Sequence, residues 1–381
     1  MRCGLTGKKF RRKCIYVLFP KFKRIDSQMT GWRPTESPGG CCGDDRTEIL
    51  LFEKNLTDER VVEIAQNLII HENQDDPWIT KTTPCWDVNA EDDEESEELP
   101  YRPVKTLNLS KNQFGDEGLT ALASAFQTSA CSSLERVMLG GNPNVGLTGI
   151  KALGAALGNG NVGLGASHLK DGPSCCRIQA LSLANCCIGN EECRAFAIGL
   201  KTNHHLTELL LHSNVIGNAG AEALGQAISD HPNLKYLDLS DNPIGDDGLR
   251  GLSEGLSMNT ALKHLYLNDI RGSNQGLRYL VQLVKHSNPY IKVITTMTTH
   301  AECYYSCDGR PIRSDRDRII EVLEYYLNLN QNGRSFMRHE PHINLLSWVF
   351  ARASHKPEIL YGLLQEIPHS WSPFVMQEQS G

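Results

Sequence analysis

The sequence has no long apolar run and no recognisable catalytic or nucleotide-binding signature. No stretch approaches the ~18 apolar residues that a membrane-spanning helix needs, and the apolar run at 14–19 is too short for the core of a signal peptide. The P-loop, HExxH, GxSxG and protein-kinase patterns are missing. We therefore predict a protein that is not an enzyme, does not enter a membrane and carries no cofactor, located in the cytoplasm or the nucleus.

Charge and cysteine patterns exclude two further classes of protein. The net charge of -7 argues against a nucleic-acid-binding protein, and the thirteen cysteines show no spacing typical of a disulfide scaffold, which favours reduced thiols. The charge is unevenly distributed. Residues 1–40 contain ten Lys or Arg against two acids, whereas residues 85–100 contain eight acids and no Lys or Arg. Such blocks are usually solvated; a salt-sensitive contact between the two is the alternative.

A repeat organises the middle of the chain. Short stretches of the form LxLxxN recur, and the last four full ones begin 28 residues apart. The first apolar residues of these stretches are Leu50, Leu107, Val137, Leu181, Leu209, Leu237 and Leu265, with Ile294 beginning a degenerate last unit.

Each unit combines a strand, a turn and a helix. Leu-x-Leu alternation predicts a short strand with both leucines in the core, and the following Asn can bond backbone groups where the chain leaves the strand. Glycine-containing turns such as "IGDDG" and helical stretches such as "GLRGLSEGL" complete the unit. Stacked units would align the residues that follow each strand into a structural ladder. We predict that this ladder consists of Asn55, Asn112, Asn142, Cys186, Asn214 and Asn242.

Packed helices need more space than neighbouring strands, so stacked units must curve with strands inside and helices outside. The predicted fold is an α/β solenoid, a horseshoe arc with parallel strands on its concave face, helices on its convex face and a helical C-terminal cap. The pattern LxxLxLxxNxIGxxG resembles the ribonuclease-inhibitor-like class of leucine-rich repeat proteins over roughly residues 47–298. This resemblance implies protein recognition on the concave face.

The same pattern predicts the domain boundaries. Residues 1–46 form a basic, disordered arm, 47–298 the repeat array, and 299–381 a helical cap and tail. Two insertions interrupt the array, an acidic one at 71–103 and a glycine-rich one at 158–176. The GxGxxG spacing at Gly158 follows a helix rather than a strand, so a flexible loop is favoured over a phosphate site.

The concave face supplies the candidate binding residues, because side chains beside the core leucines point away from the core. Exposed aromatic residues bordered by charge are typical of interaction hot spots, and an acidic border favours a partner with a basic segment. The C-terminal half of this face offers such a set, and we predict that it binds a protein partner: Leu210, His212, Tyr236, Asp238, Asp241, His264, Tyr266 and Asp269.

Two other functions stay open. Activators of the nuclear-transport GTPase Ran share this repeat class, which implies GTPase regulation as an alternative; Arg136 is the one arginine predicted on the concave face. The cysteines at 175–193 and "HAECYYSC" at 300–307 suggest zinc or redox sensing as a second alternative. Free cysteine is often a small buried apolar residue. We therefore assign Cys186 to the fold, place Cys187 nearer the surface and predict no metal site.

Overall fold

The computed structural model describes residues 48–70, 104–128, 131–158, 176–296, 314–335, 351, 353 and 355–366. The predictions for the basic arm, the acidic insertion and "HAECYYSC" lie outside these residues. Of the glycine-rich insertion, only Gly158 and Cys176 are described.

Eight three-residue strands form one parallel sheet in which spatial order follows chain order. The strands are β1 (Glu48–Leu50), β2 (Thr106–Asn108), β3 (Arg136–Met138), β4 (Ala180–Ser182), β5 (Glu208–Leu210), β6 (Tyr236–Asp238), β7 (His264–Tyr266) and β8 (Val293–Thr295).

A helix follows each of the first seven strands and returns the chain to the start of the next one. These helices are α1 (Asp58–Ile70), α2 (Asp116–Phe126), α3 (Leu147–Leu157), α4 (Asn190–Leu200), α5 (Asn218–Ile228), α6 (Asp246–Leu256) and α7 (Asn274–Gln282), the last continued by a π-helical turn at Leu283–Ser287.

The predicted solenoid is confirmed, and its register is correct from the second unit onward. Leu107 pairs with Val137, and the alignment continues through the anchor residues of every later strand to Ile294. The apolar residues of the strands and the inner faces of the helices form one continuous core. Stacking is what completes this core, since a single unit has no partner for its flanks.

The predicted register of the first unit was wrong by one residue. Ile49, not Leu50, pairs with Leu107, and Leu50 is 42% exposed. The assignment of Asn55 to the ladder is therefore also wrong. Lys54 occupies the ladder position, where its backbone N–H donates to Oδ1 of Asn112, and Asn55 is exposed. Two leucines in succession made the choice of anchor ambiguous, and a shift of one residue exchanges the two faces of a strand.

Two further helices, α8 (Asp315–Gln331) and α9 (Pro357–Gln365), form the helical cap. At the end of α8, Asn330 donates to the carbonyls of Asn288 and Ile291 in the last repeat. Arg334 is 1% exposed and donates to the carbonyls of Val284 and Lys285. The cap thus supplies donors to backbone carbonyls that another repeat would otherwise cover.

Candidate partner-binding face

The strand-exit ladder, formed by Asn112, Asn142, Cys186, Asn214 and Asn242, fixes the geometry of the carboxyl ends of the strands. Asn214 shows how it works. Its Oδ1 accepts the backbone N–H groups of Cys186 and Ile188 at 2.9 and 3.0 Å, and its Nδ2 donates to the carbonyls of Leu183 and Leu211, both at 2.9 Å. One buried amide therefore satisfies four backbone groups of two neighbouring units.

Cys186 occupies the same position with a simpler set of bonds. Its buried thiol lies 3.3 Å from the carbonyl oxygen of Leu139 and 3.5 Å from that of Ala184. Burial raises the pKa of this thiol to about 11, although backbone hydrogen bonds from Asn142 and Gly141 oppose the rise. A protonated, buried thiol has little nucleophilic reactivity. Cys187 is exposed, as its variable position predicted.

A second ladder at the amino ends of the strands was missed by the sequence analysis. We call it the strand-entry ladder; it consists of Asn203, His231, Asn259 and Asn288. The Oδ1 of Asn259 accepts the N–H of Leu262 at 2.7 Å, and its Nδ2 donates to the carbonyl of Ile228 at 2.6 Å. The signal was present in the sequence, since each member lies three residues before an apolar position of its unit.

His231 is the exception within the strand-entry ladder. Its Nδ1 accepts the N–H of Leu234 at 3.0 Å, but its Nε2 is buried and has no hydrogen-bond partner in the described structure. Burial, followed by the nearby His204, lowers the pKa of His231 to about 4. The imidazole of His231 therefore accepts a hydrogen bond as an asparagine does at this position, but it lacks the hydrogen bond that an asparagine would donate.

A third set, the helix-start ladder, consists of Asp58, Asp116, Asn190, Asn218 and Asp246. Each side chain, on the first residue of a helix, accepts N–H groups from the start of the next unit's helix. Asp116 Oδ1 accepts from Gly146 and Gly149 at 2.7 and 2.9 Å. For Asp246, burial alone would raise the pKa, but hydrogen bonds from Ser273 and Gly276 outweigh it and lower the pKa.

The break in the helix-start ladder falls beside the glycine-rich insertion. Helix α3 begins with Leu147, which is 46% exposed and has no side-chain acceptor. The next helix instead uses its own Glu192, whose carboxylate accepts the N–H of Gly189 at 3.0 Å. A local cap thus replaces a cap between units where the 28-residue spacing is interrupted.

These frameworks leave one face of the sheet for recognition, and its C-terminal half carries a stacked group of rings. Tyr236 and His264 are directly paired neighbours on β6 and β7, with ring centroids 4.4 Å apart and planes inclined by 13°. Tyr266 follows at 6.5 Å from His264, with an interplanar angle of 8°. All three are half-buried. We call these three residues the ring cluster.

The surroundings of the ring cluster favour uncharged side chains. Burial, then Lys292, lowers the pKa of His264 to about 4. Burial, then Asp238 and Tyr236, raises the pKa of Tyr266. The imidazole and phenol are therefore neutral at physiological pH, and the cluster offers a largely apolar, rigid surface with polar edges.

The three predicted aspartates have structural roles in addition to any role in binding. Asp238 Oδ1 accepts the N–H of Ser240 at 2.9 Å. Asp241 and Asp269 have left-handed backbones, with φ of 54° and 53°. The turn after each strand requires this conformation, which aspartate and asparagine tolerate better than most residues. Both remain exposed beside the concave face.

The other predicted concave residues lie beside the ring cluster or farther along the array. Leu210 pairs with Asp238 across β5 and β6 and is half-buried, and His212 Nδ1 lies 3.2 Å from the hydroxyl of Ser213. Arg136 is exposed on β3. Burial raises the pKa of Glu208, and the charge of Arg136 opposes that rise, so this arginine lies within electrostatic reach of a carboxylate.

Within the described ranges, no three His, Cys, Asp or Glu side chains are grouped so that they could hold a metal ion. In the same ranges, no helix has the length and apolar character needed to span a membrane.

A parallel sheet with one helix per strand and laddered turns defines a solenoid repeat protein. The family profile described as Leucine Rich repeat matches residues 102–123, 202–225 and 230–253. The chain is a leucine-rich repeat protein. The ribonuclease-inhibitor-like subtype is consistent with these matches and with the 28-residue repeat.

Two curated relatives are NACHT, LRR and PYD domains-containing proteins. The mouse protein 3 is 29% identical over 131 residues, which are 30% of this chain and 12% of the relative. The cattle protein 5 is 29% identical over 126 residues, 29% of this chain and 11% of the relative. The chain therefore matches only a small part of the length of either protein.

Solved structures with a similar arrangement include two at 16% identity. The alignment with the C-terminal domain of tropomodulin from Caenorhabditis elegans covers 39% of this chain and 84% of the tropomodulin chain, with a TM-score of 0.31. The alignment with Leiomodin-1 Actin-Binding Site 2 covers 39% of this chain and 80% of the leiomodin chain, with a TM-score of 0.30.

Proposed function

We propose that this protein is a non-enzymatic scaffold or regulator that binds a protein partner on its concave face, at the ring cluster of Tyr236, His264 and Tyr266. Leucine-rich repeats are typical of protein-interaction scaffolds, which is the general basis of the proposal. The observation that carries it further is the stack of three half-exposed, nearly parallel rings on adjacent strands.

The rings are suited to binding because they are already ordered. Stacking and the paired strands fix their orientation before a partner arrives, so little side-chain entropy remains to be lost on association. Aromatic residues in a partly desolvated site are the most frequent binding hot spots. Leu210 and His212 extend the surface on one side, and Asp238, Asp241 and Asp269 give its border a negative charge that favours a basic segment in the partner.

The location proposed for the protein is the cytoplasm or the nucleus. An exposed thiol at Cys187 and protonated, buried thiols at Cys186 and Cys193 are compatible with a reducing compartment.

The GTPase-activating alternative has less support. Arg136, the arginine that would act on the GTPase, already interacts electrostatically with the carboxylate of Glu208 in its own sheet.

The test is quantitative affinity purification with the wild-type chain and a Tyr236→Ala, Tyr266→Ala double variant. Recovery of a specific partner should fall about tenfold or more, in line with the loss of two aromatic anchors. Circular dichroism and urea unfolding of the same samples verify that the solenoid is intact.

A Tyr279→Ala, Tyr361→Ala double variant is the matched control, because it removes two tyrosines from helices α7 and α9 instead of the sheet. It should recover the partner at the wild-type level. Equal recovery by the wild type and the Tyr236, Tyr266 variant, with both folded, would exclude the ring cluster as the binding site.

A further inference from the structure

A row of lysines lies at the amino-end edge of the two strands that carry the ring cluster and of the strand that follows them. Lys235 immediately precedes β6, Lys263 precedes β7 and Lys292 precedes β8. The N–H of Lys263 donates to the carbonyl of Lys235 at 2.9 Å, and the N–H of Lys292 to that of Lys263 at 2.8 Å. Adjacent strands therefore place the three residues in register, about 4.8 Å apart. We call them the lysine row.

Three successive lysines occur at this position only in the C-terminal units of the described array; Lys105, before β2, is an isolated lysine at the same position. The equivalent position in the preceding unit is Thr207, and the two units before it have Glu135 and Gln179. An acidic or neutral residue is thus compatible with the fold at this position. The three successive lysines begin at β6, the first strand that bears a ring, and continue one strand beyond β7, the last that does.

The positive charge of the lysine row is not neutralised within the described part of the protein. No carboxylate there lies within 4.0 Å of any of the three ammonium groups. Lys263 is half-buried; its Nζ donates to the carbonyl of Thr260 at 2.7 Å and lies 4.9 Å from the centroid of the Tyr290 ring. Burial, then Lys292 and Lys235, lowers the pKa of Lys263, as expected for like charges held together.

The lysine row and the ring cluster are continuous. Lys292 is close enough to His264 to contribute to the lowering of its pKa, and Lys235 is the direct neighbour of Tyr236. Asp238, Asp241 and Asp269 lie toward the opposite edge. Along the strand direction the surface therefore changes from basic through aromatic to acidic, and an extended chain would cover Lys235 to Asp241 in about 20 Å.

Building on the proposed function, we infer that the partner presents an acidic peptide segment whose carboxylates bind Lys235, Lys263 and Lys292 beside the ring cluster. Carboxylates would relieve the repulsion within the row and form charge-assisted hydrogen bonds with the ammonium groups. An anionic membrane or a nucleic acid fits less well, because a continuous anionic surface would also meet the three aspartates. A peptide can change its charge within a few residues and match both edges.

The test is zero-length carbodiimide cross-linking of the full chain to a hexaglutamate peptide, with the cross-linked lysines mapped by mass spectrometry. With both peptides acetylated and amidated at their ends, so that side chains carry the only carboxylates, hexaglutamate should couple to at least two members of the lysine row, and hexaglutamine to none. Added salt should reduce the coupling. Coupling restricted to residues 1–40, or spread over surface lysines without preference for the row, would overturn the inference.

A second measurement uses fluorescence anisotropy with labelled hexaglutamate and two matched variants. The variant Lys235→Gln, Lys263→Gln, Lys292→Gln should weaken binding about tenfold, whereas Lys54→Gln, Lys151→Gln, Lys201→Gln, with the same change in net charge at exposed sites, should weaken it less than twofold. Equal effects of the two variants would show that only net charge matters. Vesicles of phosphatidylserine that bind when hexaglutamate does not would favour a membrane surface and overturn the inference.

Partner recovery separates this inference from the proposed function. If the tyrosine double variant loses the partner and the lysine triple variant keeps it, the concave-face site stands and the acidic segment is wrong. Loss with the lysine variant and retention with the tyrosine variant would place docking at the edge alone, and the proposed role of the ring cluster would fail.

Discussion

The interior ladders and the concave face of this protein follow opposite rules. In the interior, the same position of successive units makes the same bonds, as Asn112, Asn214 and Asn242 each bond backbone groups of their own unit and the preceding one. On the concave face, equivalent positions differ, with Met138 on β3, Leu210 on β5 and Tyr266 on β7. The repeated residues hold the units together, and the variable ones are available for recognition.

The first way to test this comparison is to remove a ladder residue, and we expect the largest effect here. Asn214→Ala should lower the free energy of unfolding by about 3 to 5 kcal/mol, because it leaves buried N–H and carbonyl groups of two units unpaired. Urea unfolding followed by circular dichroism measures the loss.

Cys186→Ala is the matched control in the neighbouring unit. Its thiol is a weak donor, so the loss should be about 1 kcal/mol. If the two variants were destabilised equally, the amide bonds of Asn214 would have no special importance for the array.

The sequence was sufficient for the repeated part of the structure. The alternation of leucines and the 28-residue spacing predicted seven anchors correctly, from Leu107 to Ile294. They failed at Leu50, where the preceding Ile49 satisfies the same pattern. Only the pairing with β2 distinguishes the two, and such pairing is a property of the folded sheet.

The ring cluster was predictable as a set of residues but not as a geometry. Alternation placed Tyr236, His264 and Tyr266 on one face, yet their near-parallel stacking depends on strand pairing and side-chain rotamers. The lysine row and the left-handed turn conformation of Asp241 were not found, because a lysine before a strand and an aspartate after one have no distinctive pattern in a single unit. Such residues become recognisable only when the equivalent positions of successive units are aligned in the folded array.

The second test concerns His231, where the interior departs from its own rule. Its pKa is about 4 in the folded protein against 6.5 ordinarily, so the unfolded chain takes up a proton first as the pH falls. His231 therefore supports stability fully above about pH 6.5, and the support is lost toward pH 4, with a slope of up to about 1.4 kcal/mol per pH unit. His231→Asn should remove this part of the pH dependence.

The same substitution should also add a bond at neutral pH. By analogy with Asn259, the new amide would donate to the carbonyl of Leu200 and stabilise the fold by about 1 kcal/mol. Urea unfolding from pH 4.5 to 7.5 measures both effects. His205→Asn, the same change at an exposed site, should leave the slope unaltered, and an unchanged slope in His231→Asn would contradict the assignment. His264 keeps a residual slope of the same sign in every variant, because its pKa is also lowered.

The smallest effect is expected in the helix-start ladder, where the chain itself shows which substitution is tolerated. Asp116→Ala should cost about 1 kcal/mol, since the N–H groups of Gly146 and Gly149 lose their acceptor at the start of α3. Asp116→Asn should cost only a few tenths of a kcal/mol, the electrostatic contribution of a carboxylate at a helix start, because Asn190 and Asn218 perform the same role as neutral amides. Glu117→Ala controls for removing an exposed acid nearby. Equal losses for Ala and Asn at position 116 would mean that charge, rather than the acceptor bond, links these units.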